Sequence, residues 1–247
     1  MVATVFGVPF LLGLQAANAA LVTSGCANIN VSCTLAELAS PTASINIDNV
    51  VFNNFVGSDF ASQIRVTPID GPGNGENSVA GLRFTPINPA NNPWRAAIDP
   101  NSNGSNSFLS SIFYSVNVLG GPLLDRVLLS TSFNLGGNLA SPSISADIFG
   151  PANLIAGCFG GVSVDCVNGT ATRQSYFPAL DSFFVESAVV GSFNRTGFAG
   201  PAFIEMTGIE QAYVRVPEPA SLATFAAGLL ALGAVRRSRR RSPSTGT

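Results

Sequence analysis

The stretch Asp99-Pro100-Asn101-Ser102-Asn103-Gly104 sets side-chain oxygens at alternate positions ahead of a glycine. That is the first half of a calcium loop, in which Asp99, Asn101 and Asn103 would be the early ligands. The second half departs from the pattern. Ser110 stands at the twelfth position, where a bidentate Glu is expected, and only one of the three early ligands carries charge. The segment therefore reads first as a solvated Asn/Ser/Gly turn. Trp94, the only tryptophan, follows Asn91-Asn92-Pro93 and precedes Arg95. Its ring has the size and flatness to stack on a sugar, but a core plug at the start of a strand is the stronger reading.

Other chemistry is restricted by what the chain lacks. It contains no histidine, so a Ser-His-Asp or Cys-His arrangement is excluded, as is the usual proton shuttle near neutral pH. No G-x-S-x-G elbow, phosphate loop or dinucleotide fingerprint occurs. A hydrolase working through two carboxylates is the weakest of the functional readings, because no cluster of acids and aromatics singles out a pair. No catalytic residue and no cofactor are assigned.

Four cysteines form two close pairs, Cys26 with Cys33 and Cys158 with Cys166. Three connectivities are possible, and local pairing is the economical one, since each pair brackets a short loop. Thiolate metal sites favour tighter spacings and usually recruit His, so disulfides in an oxidising compartment are expected instead.

The elements that must carry these residues are strands. From Ala43 to Val216 the dominant period is two. Ser44 to Asp48, Gln63 to Thr67 and Gly81 to Thr85 alternate, and Ile112, Tyr114, Val116 and Val118 share a face. The longest alternation sets Asp125, Val127, Leu129, Thr131, Phe133 and Leu135 on one side. Gly120-Gly121 between the last two runs suggests a hairpin. Further strands fit Ile144 to Phe149, Ser182 to Val190, Ala202 to Met206 and Ile209 to Val216, and Leu35 to Ala39 hints at a helical turn. Short strands separated by Gly, Pro, Asn and Ser clusters predict an all-β fold, an antiparallel β-sandwich or jelly roll.

Both ends differ from this middle. Val5 to Leu14 is apolar and Ala17-Asn18-Ala19 is a small-x-small cleavage signal, so residues 1–19 read as a signal peptide. No Lys or Arg precedes the run, which points to a start upstream of Met1. At the other end Pro217-Glu218-Pro219 cannot be helix interior. Residues 220–235 carry no charge and read as a helix of ~24 Å, short of a ~30 Å hydrocarbon core but able to insert if flanking arginines snorkel. Arg236, Arg237, Arg239, Arg240 and Arg241 then act as a stop-transfer signal that stays cytoplasmic. The predicted organisation is a signal peptide over 1–19, an exported β domain over 20–216 and a sorting signal over 217–247. The 20–216 core holds thirteen acids against seven arginines, a net charge of −6, which argues against a nucleic-acid partner.

Proline-Glu-Pro, apolar helix and arginine cluster, in that order, resemble the PEP-CTERM sorting signal of exported proteins of Gram-negative bacteria. The resemblance implies delivery by the export machinery and transient insertion in the inner membrane. An exosortase would then process the chain and release it to the cell surface or extracellular matrix. It also implies an association with exopolysaccharide, since exosortase systems generally accompany its production. The block from Cys33-Thr34-Leu35-Ala36-Glu37-Leu38 through Ile47, Phe52, Phe55, Val66-Thr67-Pro68 and Gly81-Leu82-Arg83-Phe84 is similar to the exported domain often found ahead of such signals. The functional expectation is a structural or interaction component of the envelope or exopolysaccharide matrix. A carbohydrate-binding module is the alternative.

Overall fold

The computed structural model describes residues 21–28, 31–57, 60–72, 78–137, 139–160, 169–195 and 200–216. The expected signal peptide, the Pro-Glu-Pro stretch, residues 220–235 and the arginines that follow lie outside the described residues. Among the described residues there are fourteen strands: β1 Leu21–Ser24, β2 Cys33–Thr34, β3 Ser44–Ile47, β4 Val50–Val56, β5 Ile64–Pro72, β6 Ser78–Pro86 and β7 Arg95–Ile98 come first. Then follow β8 Gly104–Val118, β9 Leu124–Gly136, β10 Leu139–Phe149, β11 Leu154–Phe159, β12 Thr170–Leu180, β13 Ser182–Arg195 and β14 Ala202–Arg215. One helical turn, α1 Leu35–Leu38, sits between β2 and β3.

The strands form two antiparallel sheets. The first runs β1-β3-β4-β8-β13-β10-β11, and the second β12-β9-β14-β6-β5-β2 with β7 also paired to β14. Each strand buries alternate residues, so Ile112, Tyr114 and Val116 of β8 face Val127, Leu129 and Phe133 of β9 across one shared core. This is the β-sandwich that the period-two pattern predicts.

The expected hairpin across Gly120-Gly121 is corrected. β8 pairs with β4 and β13 in the first sheet, whereas β9 pairs with β12 and β14 in the second. The two glycines, with φ of 77° and 84°, carry the chain over the edge of the sandwich from one sheet to the other. Alternation specifies which side of a strand is buried; both sides of the core present the same signal. Ala202 to Val216 likewise differs from expectation, since β14 is one strand, with a register shift between Met206 and Gly208 in its pairing with β9. β7 begins directly after Trp94, where a strand start is expected, whereas β1, β2, β11 and β12 were not anticipated. In β12 a proline, Pro178, falls where the register with β9 shifts, between Tyr176 and Leu180, and β12 is an edge strand where proline is tolerated.

α1 forms because Thr34 and Glu37 make a reciprocal capping box. The Glu37 carboxylate accepts from the Thr34 and Ala27 backbone N–H groups and from the Thr34 hydroxyl, at 2.6, 3.0 and 3.0 Å. Those bonds, the Thr34 backbone first, hold the carboxyl below its ordinary pKa. Leu35 and Leu38 drop from the turn into the core.

Candidate functional site

A polar network crosses the interior between the two sheets. The Tyr114 hydroxyl of β8 donates to Gln211 Oε1 of β14 and lies 2.8 Å from the Tyr213 hydroxyl. Gln211 Nε2 donates to Ser187 Oγ of β13 at 2.6 Å. All four residues are fully buried, and the bonds bind the first sheet to the second. Phe52, Phe55 and Phe84 surround Tyr114, with ring centroids 5.4–6.2 Å away. Burial raises the pKa of both tyrosines well above the ordinary value. These buried groups tie the two sheets to each other across the core.

Trp94 is also fully buried, so its ring offers no face to a sugar. Its backbone N–H donates to Asn92 Oδ1 at 2.8 Å and its carbonyl accepts from Met206 N at 2.9 Å, while Asn92 Nδ2 donates to Met206 O. Asn92 thus clamps the tryptophan against β14, and the core-plug reading is the one the structure adopts.

The Asp99 loop is a turn, with Ser102 N donating to Asp99 O at 3.0 Å. Arg195, at the end of β13 and 3% exposed, sends Nη1 to Asp99 O at 2.6 Å and Nη2 to Pro100 O at 2.9 Å. A guanidinium therefore already supplies the positive charge that the loop carbonyls face. Among the described residues no group of three or more His, Cys, Asp or Glu is placed to hold a metal ion.

Cys26 and Cys33 are joined, with Cα atoms 5.3 Å apart. Cys158 is also disulfide-bonded, and its expected partner Cys166 lies outside the described residues.

A surface that no sequence motif marks lies on the outer face of the first sheet. Register places Val56, Phe113, Glu186 and Phe149 side by side on four neighbouring strands. The next outward row is Ser111, Ala188, Asp147 and Ile155. Phe113 stacks on Phe184 with centroids 6.1 Å apart. Phe184, Ile155, Phe159 and Phe149 are 54%, 50%, 49% and 42% exposed. Asp147 Oδ1 is shielded from water and has no hydrogen-bond partner. Towards the Gly104 end of β8 the same face opens into a polar cleft of about 320 Å³ lined by Ser105, Asn106, Ser107, Ser141, Ser192, Phe193 and Asn194. Ser141, at φ 51°, sits in the β-bulge that re-aims this part of β10. The signal was present in the sequence as serines and phenylalanines alternating with core residues, but alternation does not say which outward positions become neighbours.

At the end of β14, Arg215 is 5% exposed and its Nη2 lies 3.3 Å from Asp48 Oδ2 and 3.2 Å from Ile47 O. Val216 N donates to Leu123 O at 2.8 Å.

The molecule is thus a two-sheet antiparallel sandwich whose last strand leads straight into its C-terminal segment. A PEP-CTERM protein-sorting motif matches residues 215–240, so the chain is a PEP-CTERM domain-containing protein, and that motif implies export and sorting. The comparison with curated proteins finds no match. Among solved structures, TmCBM61 in complex with β-1,4-galactotriose is similar at 8% identity over 65% of this chain and 86% of that one, with a TM-score of 0.26. The GH31 α-xylosidase Xac1773 from Xanthomonas citri is similar at 6% identity over 80% of this chain and 33% of that one, with a TM-score of 0.17. Likeness at these scores carries no argument about the site, which rests on the residues of this chain.

Proposed function

We propose that this exported, exosortase-processed sandwich is a structural and binding component of the cell surface or extracellular matrix, and that its outer β8–β13–β10–β11 face engages polysaccharide. The observation that carries the reading is the pairing of exposed rings with hydrogen-bonding groups on that one face. The Phe113–Phe184 stack lies among Ser111, Asp147 and Glu186, with the serine- and asparagine-lined cleft beyond. Sugar rings present apolar C–H faces edged by hydroxyls, so flat aromatic surface next to acceptors and hydroxyl groups complements them. The face carries Asp147 and Glu186 and no arginine among its described outward positions, which favours neutral glycans over polyanionic ones.

Glycan-array binding of the purified chain tests this. Binding to neutral polysaccharides that falls about tenfold in Phe184→Ala, with the unfolding midpoint little changed, is the expected result; a tenfold loss corresponds to about 1.4 kcal/mol. Retention of full binding by Phe184→Ala, or no binding to any glycan, would return the protein to a purely structural role.

A further inference from the structure

The sorting motif begins inside the fold. Its first matched residue, Arg215, is the last residue of β14, buried and held to Asp48 and Ile47, and Val216 is still tied to Leu123. No spacer separates the last fixed residue from the signal. The uncharged run starts at Ala220. Four residue steps from Val216 reach at most about 14 Å, whatever conformation they adopt. One end of the sandwich is therefore held close to wherever Ala220 sits.

That end is built from the β3–β4 turn at Asp48-Asn49, the β8–β9 crossover and the β12–β13 turn. Leu119 N donates to Asn49 O, and Val118 N donates to Asp181 O. The crossover carries Leu119, 70% exposed, and Leu123, 38% exposed, on either side of Gly120-Gly121-Pro122. Tyr176, 65% exposed, stands two ladder steps up the neighbouring strands, with the Arg126 guanidinium 5.1 Å over its ring. Leucines at a loop tip, then a tyrosine and an arginine slightly further back, follow the order in which side chains partition at a lipid–water boundary.

We infer that this end is a membrane-contacting surface, with Leu119 and Leu123 resting in the lipid interface while the C-terminal signal is inserted. The inference rests on reading residues 220–235 as the inserted stretch. The partner is lipid: at this end Asp48, Asp125 and Asp181 outnumber Arg126 and Arg215, a balance that gives no basic patch for anionic headgroups and suits a zwitterionic surface. Once the signal is cut away, the leucines alone hold too little apolar surface to keep the domain at the membrane. Tight contact before processing and easy departure after it follow from the same geometry.

The full chain in phosphatidylcholine vesicles brominated near the headgroup end of the acyl chains gives the test. Trp94, the sole tryptophan, is buried and supplies a constant background. L119W places a reporter at the exit end. L109W places one on β8, the strand that leads into the crossover, roughly 30 Å away at ~3.3 Å per residue. Loss of the added emission in L119W, with L109W unaffected, is expected, and because the bromine quencher is carried only by the lipid, contact with lipid is what causes it. Vesicle-bound chain with both reporters unquenched, or both quenched equally, overturns the orientation and leaves the anchor reading standing. A full chain that does not co-sediment with vesicles overturns the anchor reading and this inference together.

Discussion

Tyr114 and Tyr213 meet hydroxyl to hydroxyl, 2.8 Å apart, at the centre of the sandwich, one from each sheet. Because Tyr114 donates its only proton to Gln211, Tyr213 must be the donor between the two rings. The order of donation runs from Tyr213 to Tyr114 to Gln211, and Gln211 in turn donates to Ser187.

Tyr114→Phe leaves Gln211 Oε1 buried with no donor and should destabilise the fold by about 1–3 kcal/mol. Tyr213→Phe removes one bond and strands no acceptor, and should cost about 1 kcal/mol. Urea unfolding of the two variants at neutral pH checks the ranking.

The same pair sets an alkaline limit. Desolvation comes first among the causes that raise both hydroxyls, and for Tyr114 the neighbouring Tyr213 adds to it. A raised folded value means the neutral form is favoured in the fold. That stability is fully present below the unfolded tyrosine value of ~10 and is lost as pH rises from there through the folded values. The urea midpoint should fall above pH ~10. The fall should be shallower in Tyr213→Phe, which has one buried phenol to ionise instead of two.

Reducing Cys26–Cys33 opens a short closed loop, seven residues apart in sequence, and should cost about 2 kcal/mol. The loss should appear first around α1, because Ala27, next to Cys26, and Thr34, next to Cys33, are both donors to Glu37. Amide exchange with and without reductant would show whether protection at Leu38 and Ala39 drops before the rest of the sandwich.

Arg195→Met removes both donors to the Asp99 and Pro100 carbonyls and should destabilise by about 2–4 kcal/mol. Millimolar calcium should leave the thermal midpoint of the wild-type chain unchanged, since the guanidinium occupies the carbonyls. A calcium-dependent rise in wild type would show that Asp99, Asn101 and Asn103 bind the ion after all.

Replacing Pro217, Glu218 and Pro219 by alanines should leave export intact and block processing, holding the precursor in the inner membrane. Neutralising Arg236, Arg237, Arg239, Arg240 and Arg241 should weaken retention instead. Each such charge costs ~2.5–3.5 kcal/mol to bury at a helix centre, and that barrier halts the chain. Cell fractionation with and without the exosortase separates the two outcomes.

What the sequence determined by itself was local or linear. Period-two runs such as Ile112 to Val118 and Val127 to Phe133 become strands because alternate apolar residues need one buried side, and no distant partner is required to state that need. Leu35 to Leu38 turns where Thr34 and Glu37 cap it, three residues apart. Cys26 and Cys33 are close enough along the chain to find each other, and the C-terminal sorting motif is written as a linear order of residue types. Only the tertiary structure decided which sheet each strand joins, so the hairpin expected at Gly120-Gly121 became a crossover. It alone sealed Trp94 under Asn92 and Met206, brought Arg195 to a loop 95 residues earlier, and set Phe113, Phe184, Asp147 and Glu186 on one open face. Each of these depends on pairing between segments far apart in sequence, and a strand's own alternation is equally satisfied by many partners; packing of the whole core selects one.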